Sequence, residues 1–245
     1  RNAAEVNLAL ANAALLNTNL IAGKYHTAAR RLLERALKTN DADPQIYLSL
    51  ARLERQQVGT GMDPEDLRSH LQRSEQHLRA GLAIVEETLA DENAEDGVKE
   101  SGDEGDSVDL RASETELLWS LADTLVALSQ LGDDRDGLLA EVRAMIPRIE
   151  ESGAQELLTD FLEAQLLIAG EQWRAALNVL TPLSTMELNT ALDRRVALLR
   201  SRCLQKLEIP DSAVSLFADQ IQNDPLWIEG RTELARAMLS SGQMQ

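Results

Sequence analysis

Apolar residues return every three or four positions along this chain, in stretches separated by short polar breaks. That is the period of helices buried along one side. Over 207–242, Ala213, Val214, Leu216, Phe217 and Ile221 form one apolar stripe behind Pro210, a residue suited to a first helical turn. Asn223, Asp224 and Pro225 interrupt the pattern. Leu226, Ile228, Leu234, Ala235, Met238 and Leu239 then form a second stripe, which Pro225 can open and Gly242 can end in the left-handed conformation. Two short helices of this kind cannot bury both stripes alone, so neighbouring units must cover them.

The same alternation predicts helices over 3–22 and 26–39, with the turn at Gly23, Lys24 and Tyr25. Helices follow over 44–58 and from 64 to about 89, the latter behind Asp63 as N-cap. Ser113 reads as the N-cap of a helix running to 131, and Gly132 as the next turn. A helix over 136–150 contains Pro147, expected to kink or stop it. The pattern closes with 155–169, 174–180 (ended by Thr181 and Pro182) and 186–207. Turns near Gly23, Gly61, Gly132, Gly170, Glu208 and Gly242 are 38, 71, 38, 38 and 34 residues apart. This is a periodic array with one interruption. The interruption includes 91–109, DENAEDGVKESGDEGDSVD, which has no apolar period and is expected to be an acidic flexible insert.

Ala213, Phe217 four positions later and Pro225 eight after that resemble the second helix of a tetratricopeptide repeat (TPR). Gly23, Tyr25 and Ala28 resemble that family's inter-helix turn, and Gly170, Trp173, Ala175 and Ala176 repeat it with one residue inserted. The resemblance spans nearly the whole chain, most clearly over 10–44 and 155–242 and least over 58–152. It implies an all-α fold, a right-handed α-α superhelix (solenoid) of about five and a half helical hairpins. It also implies a single repeat domain over 1–245, with 91–109 as an insert within it. Both ends fall inside the helical pattern, so a piece of a longer protein is expected.

Composition agrees with helices: 44% of residues are apolar and only 3% aromatic. No apolar run approaches the ~20 residues of a membrane span, and the compartment stays open, with the cytoplasm as default. The net charge of −17 is uneven. Residues 1–90 balance, whereas 91–109 carry nine acids against one lysine. Such a charge opposes nonspecific nucleic-acid binding, which depends on neutralising phosphates. The single cysteine, Cys203, excludes an internal disulfide and is expected to be a small buried apolar side chain.

No residues carry a catalytic signature. His26, His70 and His77 lack the spacing of a helical metal site and are expected to face solvent. Asp91, Asn93 and Glu95 alternate as in a calcium loop, but Asp96 and Gly102 stand where glycine and a bidentate glutamate are required. No cofactor or metal is expected. Trp119, Trp173 and Trp227 are expected in the core.

The TPR resemblance implies a concave groove lined by the first helix of each hairpin. Counting back from each turn places Asn17, Arg55 (or Arg52), Arg202 and Arg236 on it, with Arg195 and Gln205 on the same helical face as Arg202. Only Asn17 matches the family's carboxylate clamp. An arginine wall would suit an acidic peptide segment, or a C-terminal carboxylate, of a partner protein. The competing expectation is that these arginines pair with Glu54, Asp193 and Glu233 of the chain itself. The reading is therefore a non-enzymatic protein-interaction scaffold. The alternatives are an accessory or regulatory segment of a larger enzyme or secretion or assembly protein, and an array that self-associates through its open ends.

Overall fold

The computed structural model describes residues 2–16, 22–58, 62–95, 104–132, 134–152, 155–186, 188 and 190–242. Its described residues form eleven helices. They are α1 (Asn2–Leu16), α2 (Ala22–Thr39), α3 (Pro44–Gln57), α4 (Pro64–Glu95), α5 (Glu104–Ser129), α6 (Arg135–Glu151), α7 (Glu156–Ala169), α8 (Trp173–Leu183), α9 (Thr190–Lys206), α10 (Pro210–Asn223) and α11 (Ile228–Ser240). The fold is all-α, as expected. Contacts divide the chain into two compact units, 1–154 and 155–245, where the sequence suggested one domain.

Each unit is built in one way. Every helix packs on the next in sequence, and the first helix of each hairpin also lies against the first helix of the next. Unit one thus has α1, α3 and α5 as a row, and unit two has α7, α9 and α11. Small residues make the close approaches possible. Ala11, Ala29 and Ala36 are fully buried with Leu33, Ile46 and Leu53 where α1, α2 and α3 meet. Ala213 and Ala237 play that part with Leu204 in unit two. Phe217 packs beside Trp227, with ring centroids 5.8 Å apart, against Ala197.

Helix starts follow the expected chemistry. Asp43 accepts from the Gln45 N–H at 3.0 Å and Asp63 from the Glu65 N–H at 2.9 Å, each just before a proline. Gly242 has φ +72°, in the left-handed region as expected. The turns after α7 and α9 instead place Glu171 and Glu208 in that region, at φ 57° and 60°. In both turns the following N–H reaches back five residues, Gln172 to Leu167 and Ile209 to Leu204, each at 2.9 Å. Satisfying those helix-end carbonyls offsets the strain of a non-glycine residue.

Several expectations need correcting. Gly23 and Lys24 belong to α2, not to a turn. Ser113 is a buried interior residue of α5 that accepts from Gln45 Nε2 at 3.0 Å, not an N-cap. That helix begins nine residues earlier, at Glu104. Of the acidic stretch, 91–95 continue α4 and 104–109 open α5, while 96–103 lie outside the described residues. Pro147 does not stop α6, because buried Met145 and Ile149 anchor the helix on either side of the one lost donor. Thr181 and Pro182 likewise lie inside α8.

The second stripe of the 207–242 stretch is only partly as expected: Leu234 packs against the cluster of Ala197, Phe217 and Trp227. Leu226, Ile228 and Leu239 are exposed, and α11 starts at Ile228. The packed side is Trp227, Gly230 and Ala237. Gly230 is required there: a Cβ built on it would lie 2.3 Å from Trp227 Cε3. Gly230→Ala is expected to push the indole out of its seat and destabilise the fold by about 1–3 kcal/mol. Urea unfolding followed by tryptophan emission reads this, and an unshifted midpoint would show that Trp227 yields at no cost.

Candidate functional site

The two rows of first helices carry the expected partner-facing residues, so their polar chemistry decides what is available. In unit one the row is laced by its own contacts. Ser49 Oγ donates to Asn12 Oδ1 at 2.8 Å, joining α3 to α1. Between α3 and α5, Gln45 meets Ser113, Arg52 meets Glu116, and Arg55 Nη2 donates to Asp123 Oδ2 at 2.6 Å. Asp123 is 6% exposed, so the Arg55 pair is a structural contact of the repeat stack. Arg55 and Arg52 are therefore committed internally, to acids other than those the sequence suggested. Asn17 lies outside the described residues.

Beside this row is a buried ionic cluster that the sequence reading missed. Glu54 on α3 is 1% exposed and receives Arg30 of α2 on one carboxylate oxygen. Its other oxygen meets His70 Nδ1 at 2.7 Å and Arg73 Nε at 3.5 Å, both on α4. Burial pushes the Glu54 carboxyl up, but the His70 and Arg30 hydrogen bonds and the Arg30 and Arg73 charges outweigh it and hold it below its ordinary range. His77 is held below its ordinary value by burial first, with Arg30 and Arg73 adding to the effect and Glu54 opposing it. The histidines are thus not solvent-facing. His70 is 15% exposed, and the Nε2 of His26 is buried without a partner. Lone histidines in a helical pattern gave no sign of this, because the carboxylate that His70 meets sits on another helix.

Unit two distributes its charges differently. α9 carries five basic residues against one acidic residue in an acidic chain. Arg194 Nε donates to Asp224 Oδ2 at 2.7 Å, and Arg236 on α11 pairs with Glu233, as one expectation held. Arg195 lies over the Phe161 ring, 4.8 Å from its centroid. Arg202 and Lys206 both lie over Trp173, at 5.9 and 5.7 Å. Gln205 donates to Ser201 Oγ at 3.3 Å. Trp227 is core, as expected, but Trp173 is half-exposed and serves as a platform for cations. Cys203 is fully buried, and burial pushes its thiol up to about 11, so it is the inert apolar residue expected.

Among the described residues, no group of three or more His, Cys, Asp or Glu is placed to hold a metal. No described helix is long and apolar enough to cross a membrane. The site residues divide between the units: Arg55 in the first, and Arg195, Arg202, Gln205 and Arg236 in the second.

Hairpins whose first helices align in rows, with small residues at the crossings, define a TPR-like helical repeat protein. Comparison with solved structures agrees. The chain is similar to TTC0263, a TPR protein of Thermus thermophilus, with a TM-score of 0.61 and 17% identity over 94% of this chain and 99% of that one. It is also similar to Acl4, described as an assembly chaperone of RpL4, with a TM-score of 0.53 and 19% identity over 97% of this chain and 83% of that one. No protein-family profile and no curated protein sequence matches it.

Proposed function

We propose that this chain is a non-enzymatic scaffold that binds a segment of another protein along its rows of first helices. The observation that carries the reading is the exposed side of α9, a first helix, where Arg202 and Lys206 rest on the half-exposed ring of Trp173 at the start of α8. A repeat stack of this kind offers a broad, preformed surface, which suits an extended or helical segment better than a small substrate. The similarity to an assembly chaperone is in keeping with a protein partner.

Site-specific photo-crosslinking tests it. A photoreactive residue replaces Glu163 or Arg236, exposed on first helices, or Asn178 or Asp219, exposed on second helices. Crosslinked protein is expected from the first pair when the variants are exposed to lysate of the source organism. Crosslinks confined to the second pair, or none from any position, would defeat the reading.

A further inference from the structure

We infer that Trp173, Arg202 and Lys206 form a recognition site for an acidic protein segment with carboxylates at alternate residues. The inference rests on the scaffold reading above and names the chemistry of its partner.

Arg202 and Lys206 stand one turn apart on α9 and lie over the same indole. Two like charges at that spacing repel each other. The negative ring face offsets the repulsion and holds both groups in place, yet leaves their N–H donors unspent. Both side chains are exposed, and among the described residues neither has a carboxylate within ion-pair distance. Arg52, Arg55, Arg79, Arg148, Arg194 and Arg236 each have such a partner. Among the described cations with no ion pair, which include Arg31 and Arg35 on α2, Arg202 and Lys206 are set apart by the indole they share. At Trp173 two donors are ordered by an aromatic platform and left open, an arrangement complementary to carboxylates from outside.

The spacing selects the ligand. Positions four apart on a helix are separated by about 6 Å along the axis. Side chains two apart on an extended segment are separated by about 6.7 Å. One acidic residue can therefore meet the Arg202 fork while the next-but-one meets the Lys206 ammonium. Arg195 lies on the same stripe of α9 about 10 Å further along. A nucleic acid is disfavoured because its binding rests on neutralising many phosphates at once, which a chain of net charge −17 does not supply, whereas a short acidic segment needs only these two cations.

The test is fluorescence anisotropy with a labelled peptide of alternating glutamate and serine. Its glutamine–serine counterpart and a thymidine oligonucleotide of matched length serve as comparators. Wild type is expected to bind the glutamate peptide in preference to both, more weakly as salt rises. Arg202→Gln with Lys206→Gln is expected to lower affinity about tenfold, because a charge-assisted pair is lost at each position. Arg31→Gln with Arg35→Gln, the same charge change on exposed α2, is expected to leave affinity unchanged. Trp173→Leu is expected to weaken binding with both cations present, and circular dichroism confirms that each variant remains helical. Undiminished binding by the Arg202/Lys206 variant, tighter binding of the oligonucleotide, or no binding by wild type would overturn the inference. If the peptide fails while first-helix crosslinks appear, the site assignment falls and the scaffold reading stands. Failure of both removes the scaffold reading as well.

Discussion

Ala213→Arg is expected to abolish cooperative folding of the unit that holds it. Ala213 is fully buried between Leu204 on α9 and Ala237 on α11, with Leu177, Val214 and Leu216 around it. A guanidinium there must either separate the helices or sit unpaired among apolar side chains. Each alternative costs upwards of about 4 kcal/mol, a large share of the roughly 5–15 kcal/mol that holds a domain folded. Ser215 is exposed two residues further along α10, so Ser215→Arg adds the same group where water solvates it. That variant is expected to stay within about 0.5 kcal/mol of wild type. Urea titration followed by helical circular dichroism compares the two. Equal midpoints for both variants would mean that the α9–α10–α11 crossing is not where the buried contacts place it.

Glu54→Gln is expected to destabilise the protein by about 3 kcal/mol at neutral pH, since removing one partner of a buried ionic pair leaves charge uncompensated. Water reaching Arg30 and Arg73, which are 33% and 46% exposed, keeps the cost from rising further. Gln keeps the shape and can still accept hydrogen bonds, so the loss isolates the charge. The pH dependence of wild type follows from two depressed values. His77 binds its proton less readily when folded, so its contribution is complete above its ordinary value of 6.5 and is lost as pH falls below it. Glu54 also has a lowered folded value, so its contribution is complete above 4.5 and is lost as pH falls through the folded value. Both act in the same direction, and acid weakens the unit in two stages. In Glu54→Gln the lower stage should vanish. A variant that melts like wild type at neutral pH, or that keeps the lower stage, would show that this cluster contributes nothing to the fold.

Which helices carry the candidate residues was legible in the sequence; what those residues touch was not. Counting back from the turns put Arg55, Arg202 and Arg236 on first helices, with Arg195 on the same face as Arg202, because helix order and turn position are properties of local sequence. It could not tell which arginines were already engaged. Arg55 meets Asp123 and Arg52 meets Glu116 across 68 and 64 positions of sequence. Pairing at that range depends on how one hairpin stacks on the next. The role of Trp173 was missed for the same reason. Its half-exposed ring sits under α9 only because the α7–α8 turn brings it there, and nothing near it in sequence distinguishes it from the buried Trp227.

The chain by itself determined that this protein is helical, that its helices pair, and that the pairs repeat. Apolar period, proline and aspartate at helix starts, and polar breaks at regular spacing are local signals, and each acts within a few residues. Tertiary packing decided where local signals were silent or in conflict. It ran α6 and α8 through prolines. It chose Trp227, Gly230 and Ala237 over Leu226, Ile228 and Leu239 as the buried side of the last helix. Burial rewards whichever face meets a neighbour, and the neighbour's position is set by crossings between helices far apart in sequence. The Glu54 cluster and the open cations over Trp173 exist for that reason, since each is assembled from residues on different helices that only the fold brings together.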